Sequence, residues 1–392
     1  MTPPPMAAPS FRGNLFLCLI LLFAHLFPLL GLALPPIGSY SAIFSFGDSL
    51  TDTGNSAYFS RGDDVAKRIP YGETYFHRPS GRYSDGRIVL DFIAQAMGLP
   101  LVPPYEAGHG SDDFARGANF AVGGGCALSN TFYEKKGFNL SREDHSLVTQ
   151  LKWFQQLLAT FSSSSSVLTS STEILNNSLF VMGEIGVNDY HNLLQGNESI
   201  DYARTSVPPV VNAIASAIDE LTEMGAKTVI VAGMFPMGCI PLFLTKFQTQ
   251  NTAAYEPETG CLKSLNEFSQ YHNLLLKYEL RALQKAHPHS RIIYADYYKA
   301  LMDIYRSPEH FGMKWPLVAC CGGEGPYNFS FSVGCSDPAS KWCSDPLSYV
   351  CWDGMHYTEA ACQVIARGIL DGSYVEFPSK QTCFEMFDEM YG

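Results

Sequence analysis

Five short runs, 41–46, 118–122, 179–182, 228–232 and 291–295, are almost continuously apolar, and they alternate with longer segments of a different rhythm. Those segments, 88–97, 147–161, 202–224, 265–285 and 359–370, carry apolar residues at spacings of three and four, which is helical. A strand that is apolar on both faces has to be covered on both, and parallel neighbours need a long crossover that a helix supplies. Strand then helix, repeated, predicts an α/β chain with a parallel central sheet and helices on both faces.

Nothing else in the chain asks for a second folding unit. Its 392 residues exceed a usual domain, but single α/β domains of about 250 to 350 residues are ordinary. The serine run 162–166 is too short for an interdomain linker and reads as an exposed loop; there is no internal repeat. Hydrophobic residues at 46% and charged residues at 16% describe a globular chain. A formal charge of −12 argues against nucleic acid and against an anionic membrane surface as partners.

The N-terminal segment has one cation, Arg12, then an apolar run from Leu15 and small residues at Gly31-Leu32-Ala33, the layout of a cleaved secretory signal over 1–33. The remaining 34–392 is then a single domain with no further stretch of about 18 apolar residues, so no stable membrane insertion is expected after cleavage. Of 11 Cys, Cys18 leaves with the signal, and five crowd into 320–351. Adjacent Cys320 and Cys321, without paired C-x-x-C units or nearby His partners, suit disulfides in an oxidising compartment rather than a metal. The span 320–351, dense in Gly, Pro and Asn, reads as a long irregular excursion stapled by such bridges. Sequons at Asn139, Asn176, Asn197 and Asn328 fit a glycosylated secreted protein.

In a parallel sheet, ligands gather beyond the carboxyl ends of the strands. Beyond the first strand stand Gly47, Asp48 and Ser49; beyond the second, Gly123, Gly124 and Gly125; beyond the third, GEIGVNDY with Asn188 and Asp189; and WDGMHYTEAA places Asp353 and His356 just before the last helix. These residue types fit acyl transfer. A serine hydroxyl is a poor nucleophile until an imidazole takes its proton, and the imidazole needs a carboxylate to fix its tautomer and stabilise its cation. Asp353 and His356, three residues apart, can supply both for Ser49, while the oxyanion has candidate donors in the backbone N–H groups of Ser49 and Gly124 and the Asn188 amide. Singly each signal is weak, since an Asp-x-x-His pair turns up by chance about once in two chains of this length. Their joint placement after successive strands carries the reading.

IFSFGDSLTDTGN, RGANFAVGGGCAL, GEIGVNDY, VAGMFPMGCIP and YVCWDGMHYTEAA resemble, in order, the landmark blocks of the plant GDSL esterase/lipase family within the SGNH hydrolase superfamily. The resemblance implies a flavodoxin-like three-layer α/β/α sandwich, no metal and no cofactor. It carries catalytic roles onto Ser49, Asp353 and His356, oxyanion roles onto Ser49, Gly124 and Asn188, and an orienting role onto Asp48. Two departures stand out. Gly123-Gly124-Gly125-Cys126 replaces a common Ala-Gly-Ala, which leaves open which glycine faces the oxyanion, and Cys351 stands where serine is commoner. Cys351 and Cys362 either form a bridge beside the Asp353–His356 loop or remain buried thiols, while Cys239 and Cys261 are expected to form a separate bridge.

The expectation is therefore a secreted serine carboxylic ester hydrolase of the extracellular space, cell wall or vacuole, working through an acyl-enzyme. An acyltransferase using the same three residues with an alcohol acceptor is the alternative. GEIGVNDY and the Cys-rich excursion look most like the branch containing sinapine esterase and acetylajmalan esterase, which points to acetyl or phenolic esters of small molecules or wall polysaccharide over long-chain lipid.

Overall fold

A computed structural model describes residues 40–377 except 61–63, 109, 111, 139, 141–142, 164–169 and 197. The signal segment, Cys18, Cys383, Asn139 and Asn197 lie outside the described residues. Five of the six strands of the central sheet are parallel: β1 (Ala42–Phe46), β2 (Gly117–Asn119), β3 (Ser178–Met182), β4 (Thr228–Ala232) and β5 (Arg291–Ala295). β6 (Val375–Glu376) is added antiparallel at the β5 edge. The spatial order is β6-β5-β4-β3-β1-β2. Read from β2 it begins 2-1-3-4-5, the flavodoxin-like winding, whose direction reverses between β1 and β3.

Every residue of β1, β3 and β4 is buried, which is what their continuous apolar composition required. Register follows the same logic, with Ile43 opposite Leu179, Val181 opposite Ile230 and Ile230 opposite Ile293. Helices α1 (Val89–Ala96), α6 (Tyr297–Arg306) and α7 (Glu359–Asp371) form one covering layer. α2 (Leu147–Ser163), α4 (Val207–Met224) and α5 (Lys263–Ala286) form the other, and α3 (Val187–Gln195) follows β3. A three-layer α/β/α sandwich results, with the rings of Phe44, Phe46, Phe120, Phe154 and Phe180 packed together, mostly tilted or edge-on, between sheet and α2.

Three sequence expectations shift. The second strand is shorter than 118–122, because the Asn119 side chain turns inward, accepting from the Ala121 N–H at 2.7 Å and donating to the Thr51 carbonyl, and takes the chain off the ladder. The helix over 202–224 is two, Ile200–Arg204 and α4, parted at Ser206, with Pro208 and Pro209 opening α4 where their missing N–H groups cost nothing. Helix α2 also runs into the first two residues of the serine stretch.

The Cys-rich excursion has more order than its composition suggested. Trp315–Ala319 pairs with Tyr349–Cys351, and Cys321–Gly322 pairs with Lys341–Trp342. Bridges Cys320–Cys343 and Cys321–Cys335 fasten it, and Cys239–Cys261 forms the expected separate bridge. Cys351 and Cys362 are buried thiols, as is Cys126, so of the two alternatives for Cys351 and Cys362 the thiols hold. The excursion packs Cys320, Cys321 and Cys335 with Ala66, Tyr71 and Trp352 into a second small core. Its Cys320 and Cys321 N–H groups donate to the carbonyls of Cys351 and Trp352, at 3.0 and 2.6 Å, immediately before Asp353.

Candidate active site

The turn after β1 is built by Asp48. Its N–H donates to the Glu184 carbonyl at 3.1 Å, its own carbonyl accepts from Thr51 and Asp52, and its Oδ1 accepts from the Leu50 N–H at 2.9 Å. Gln150 of α2 holds the preceding residue at both of its backbone groups, accepting from the Gly47 N–H and donating to the Gly47 carbonyl, at 2.9 and 2.8 Å. Ser49 is thereby held at the apex, 7% exposed, beside the point where the winding of the sheet reverses.

The loop between Trp352 and α7 supplies the partners. Trp352 N–H donates to the His356 carbonyl at 2.7 Å, closing the loop, and Asp353 Oδ1 accepts from the N–H groups of Met355 and His356 at 3.0 and 2.9 Å. Asp353 Oδ2 lies 2.7 Å from His356 Nδ1 and accepts from the Tyr71 hydroxyl, also at 2.7 Å. His356 Nε2 lies 2.8 Å from Ser49 Oγ. Serine, imidazole and carboxylate, 307 residues apart at the extremes, are thus in one hydrogen-bonded line.

Electrostatics suit that line. Burial works against the His356 imidazolium, but the Asp353 carboxylate, with Asp48 and Asp64 behind it, outweighs burial and lifts its pKa above the ordinary histidine value. Burial likewise works against the Asp353 anion, yet the His356 charge and the bonds from His356 and Tyr71 bring it down to about 2. A carboxylate ionised throughout and an imidazole ready to hold a proton are what a serine nucleophile needs on its far side.

The three glycines differ. Gly123 donates its N–H to Asp52 Oδ2 at 2.8 Å, and Gly125 donates to the Val122 carbonyl at 2.8 Å. Gly124, with a left-handed φ of 76°, donates to nothing among the described residues, and the same holds for Ser49 N–H. Of the three glycines, Gly124 is the one whose N–H has no acceptor among the described residues, and unused backbone donors of this kind are what an oxyanion requires. Asn188, at the start of α3, is already committed: its Nδ2 donates to Asp48 Oδ2 at 2.9 Å and to the Gly125 carbonyl at 3.0 Å. It ties the serine turn to the glycine loop, and it reaches an oxyanion only by giving up one of those bonds.

Asp189, which the sequence set beside Asn188 without a role of its own, is an anchor, accepting from the N–H groups of Ala127 and Leu128 and the Tyr133 hydroxyl, with burial raising it to about 6. Sequence reasoning passed over several other residues around this centre. Asp52 binds the Gly54, Asn55, Ser56 and Gly123 amides, and burial raises it to about 6 too. Glu184 is buried beside Asp48, so burial first and then the Asp48 charge push its carboxyl far above the usual range. The Tyr83 ring stacks on the His356 imidazole at 4.9 Å. Tyr71 and Tyr83 carry no motif of their own, and only their place in three dimensions marks them.

Among the described residues no group of His, Cys, Asp and Glu is arranged to hold a metal ion, and no helix is long and apolar enough to cross a membrane. Asn176 is exposed, whereas Asn328 is half-buried and donates its amide to the Ala319 carbonyl at 2.8 Å.

The family model described as GDSL-like lipase/acylhydrolase matches residues 43–369. A GDSL esterase/lipase of Arabidopsis thaliana is 46% identical over 350 residues, covering 88% of both chains. Another from the same plant is 45% identical over 367 residues, 93% of this chain and 92% of the relative. Sinapine esterase of Brassica napus is 43% identical over 357 residues, 90% of each.

Proposed function

The chain belongs to the GDSL-like lipase/acylhydrolase family and is a carboxylic ester hydrolase, and from that premise we propose that it works through an acyl-enzyme formed on Ser49. The observation that carries the proposal is the unbroken line Ser49 Oγ to His356 Nε2 to Asp353, beside two unused backbone donors. Ser49 Oγ attacks the ester carbonyl carbon as its proton passes to His356 Nε2, and Asp353 steadies the imidazolium through Nδ1–H. The carbonyl oxygen, now negative, receives the Ser49 and Gly124 N–H groups, with the Asn188 amide as a third donor once it leaves Gly125. Collapse of the intermediate expels the alcohol, which takes the proton from His356. Water then adds to the acyl carbon as His356 takes its proton, and collapse of this second intermediate releases the acid while Ser49 Oγ takes the proton back from His356.

Phenolic or acetyl esters of small molecules or wall polysaccharide are the substrates this reading favours. Likeness to a protein named for sinapine, an ester with a phenolic acyl group, supports it. An acyltransferase would form the same acyl-enzyme, and product analysis with an acceptor alcohol present separates the two. The chain is read as a signal over 1–33 and one hydrolase domain over 34–392, secreted and glycosylated. The test is Ser49→Ala, which should lower kcat by about 10⁴-fold or more with the fold unchanged, together with an organophosphonate that labels Ser49 and needs His356. A pure variant keeping a tenth of the activity sinks the assignment.

A further inference from the structure

Asp353 Oδ2 serves two donors, His356 Nδ1–H and the Tyr71 hydroxyl, each at 2.7 Å. Tyr71 comes from 282 residues upstream, is 3% exposed, and lies edge-on to Trp352, whose ring is fully buried immediately before Asp353. It is also edge-on to Tyr83, the ring stacked on His356, so Tyr71 touches both the carboxylate and the aromatic wall that confines the imidazole. A tyrosine retained only to fill this small core needs no hydroxyl. Here the hydroxyl spends its one hydrogen on the oxygen that the imidazole uses.

We propose that Tyr71 is a positioning residue that sets the basicity of His356 by sharing Asp353 Oδ2 with it, and this rests on the reading of Ser49, His356 and Asp353 given above. Two consequences follow from one bond. The carboxylate is held by donors on both oxygens, so it cannot swing Oδ2 away from Nδ1. The phenol also draws charge from Oδ2, so the carboxylate stabilises the imidazolium less than it would alone.

The sign is fixed by that second effect. Without the hydroxyl the carboxylate charge falls more fully on Nδ1–H, the imidazolium gains stability, and the free base that activates Ser49 needs a higher pH. The other charged groups acting on the imidazole are Asp48 in the serine turn and Asp64 behind Tyr83, both acidic and both unchanged by a substitution at 71. Neither reverses the direction.

Tyr71→Phe keeps the ring and removes the bond. The acid limb of the kcat/KM profile on an activated acetyl ester should move up by about half to one pH unit, with kcat on the plateau down by about 3- to 10-fold. The His356 Nδ1–H proton resonance, followed on the same samples, should move as well. Incorporating 3-fluorotyrosine at position 71, a stronger donor of nearly unchanged shape, should move the limb the other way, and this arm stands even where the Phe variant folds poorly. An acid limb at the wild-type pH in both proteins, while phosphonate still labels Ser49, overturns the role of Tyr71 and leaves the esterase reading intact. Absence of Ser49 labelling in the unmodified protein overturns the reading beneath it.

Discussion

Gly354 sits between Asp353 and His356 with φ at +99°, a conformation that side-chain-bearing residues rarely adopt. A Cβ there would meet Phe329 Cδ2 at 2.1 Å and Cε2 at 2.8 Å. Ordinary carbon contacts lie near 3.5–4.0 Å, so ring or loop must yield by about 1.5 Å. Phe329 is braced edge-on against Phe331 at 5.2 Å, and the Gly354 carbonyl is pinned by the Leu242 N–H at 3.0 Å, so the strain divides between the excursion and the loop that carries Asp353 and His356. Backbone strain of about 1–2 kcal/mol plus overpacking of about 1–3 kcal/mol predicts destabilisation by about 2–5 kcal/mol for Gly354→Ala. A displacement of His356 by about 1 Å costs about 10²-fold in rate. Urea denaturation and ester hydrolysis kinetics should therefore both respond. Adding Phe329→Ala relieves the clash and leaves the backbone strain, so the double variant should recover activity relative to Gly354→Ala with a coupling of at least about 1 kcal/mol. Wild-type kcat/KM in Gly354→Ala, or strictly additive effects in the pair, would refute the claim that Phe329 fixes this loop.

Asn188→Ala should lower kcat by about 10²- to 10³-fold with a smaller change in KM, and Asn188→Asp should be worse, since it sets acceptors against Asp48 Oδ2 and the Gly125 carbonyl; a change confined to KM assigns Asn188 to substrate binding. His272 is buried, hydrogen-bonded to the Tyr190 hydroxyl at 2.8 Å, and burial lowers its pKa from 6.5 to about 3. Because the unfolded chain takes up the proton first, the contribution is whole above pH 6.5 and is lost as pH falls toward 3, by up to about 5 kcal/mol. His272→Gln should flatten the stability profile across that window relative to wild type, and parallel profiles would contradict the assignment. Mild reduction should lower esterase activity before far-UV circular dichroism changes, since the Cys320–Cys343 and Cys321–Cys335 bridges hold the N–H groups that dock on Cys351 and Trp352; coincident curves would show the bridges to be purely stabilising.

The sheet was legible because strands covered on both faces carry their burial in composition: the bounds of β4 and β5 coincide with the apolar runs 228–232 and 291–295. Where side chains compete with the backbone, composition misleads. Asn119 ends β2 early by a bond to Ala121 N–H that no periodicity announces, and the break before α4 lies at Ser206, beside prolines that a helix tolerates only in its first turn. The excursion looked irregular because its order comes from disulfides and a shared small core, both long-range, with strands of two residues that carry no pattern.

For the candidate site, the residues whose chemistry is rare were legible and the residues that arrange them were not. Ser49 was read from its place at a strand end and Asp353 and His356 from theirs just before the last helix, each weak alone and telling only together, and the structure brings all three into one line. Asn188 was expected as an oxyanion donor, and its two bonds to Asp48 Oδ2 and the Gly125 carbonyl could not be foreseen, because they depend on where Asp48 and Gly125 come to rest. The same holds for the glycines, since three in a row differ only by which N–H is already taken, by Asp52 for Gly123 and by Val122 for Gly125. Gly123 shows why even identity can be set at a distance: a Cβ there would meet the Tyr83 hydroxyl at 2.5 Å, and Tyr83 is the ring on which His356 stacks. A glycine at 123 thus makes room for the aromatic ring that stacks on His356, so packing at 123 and the setting of the imidazole constrain one another across 233 positions of sequence.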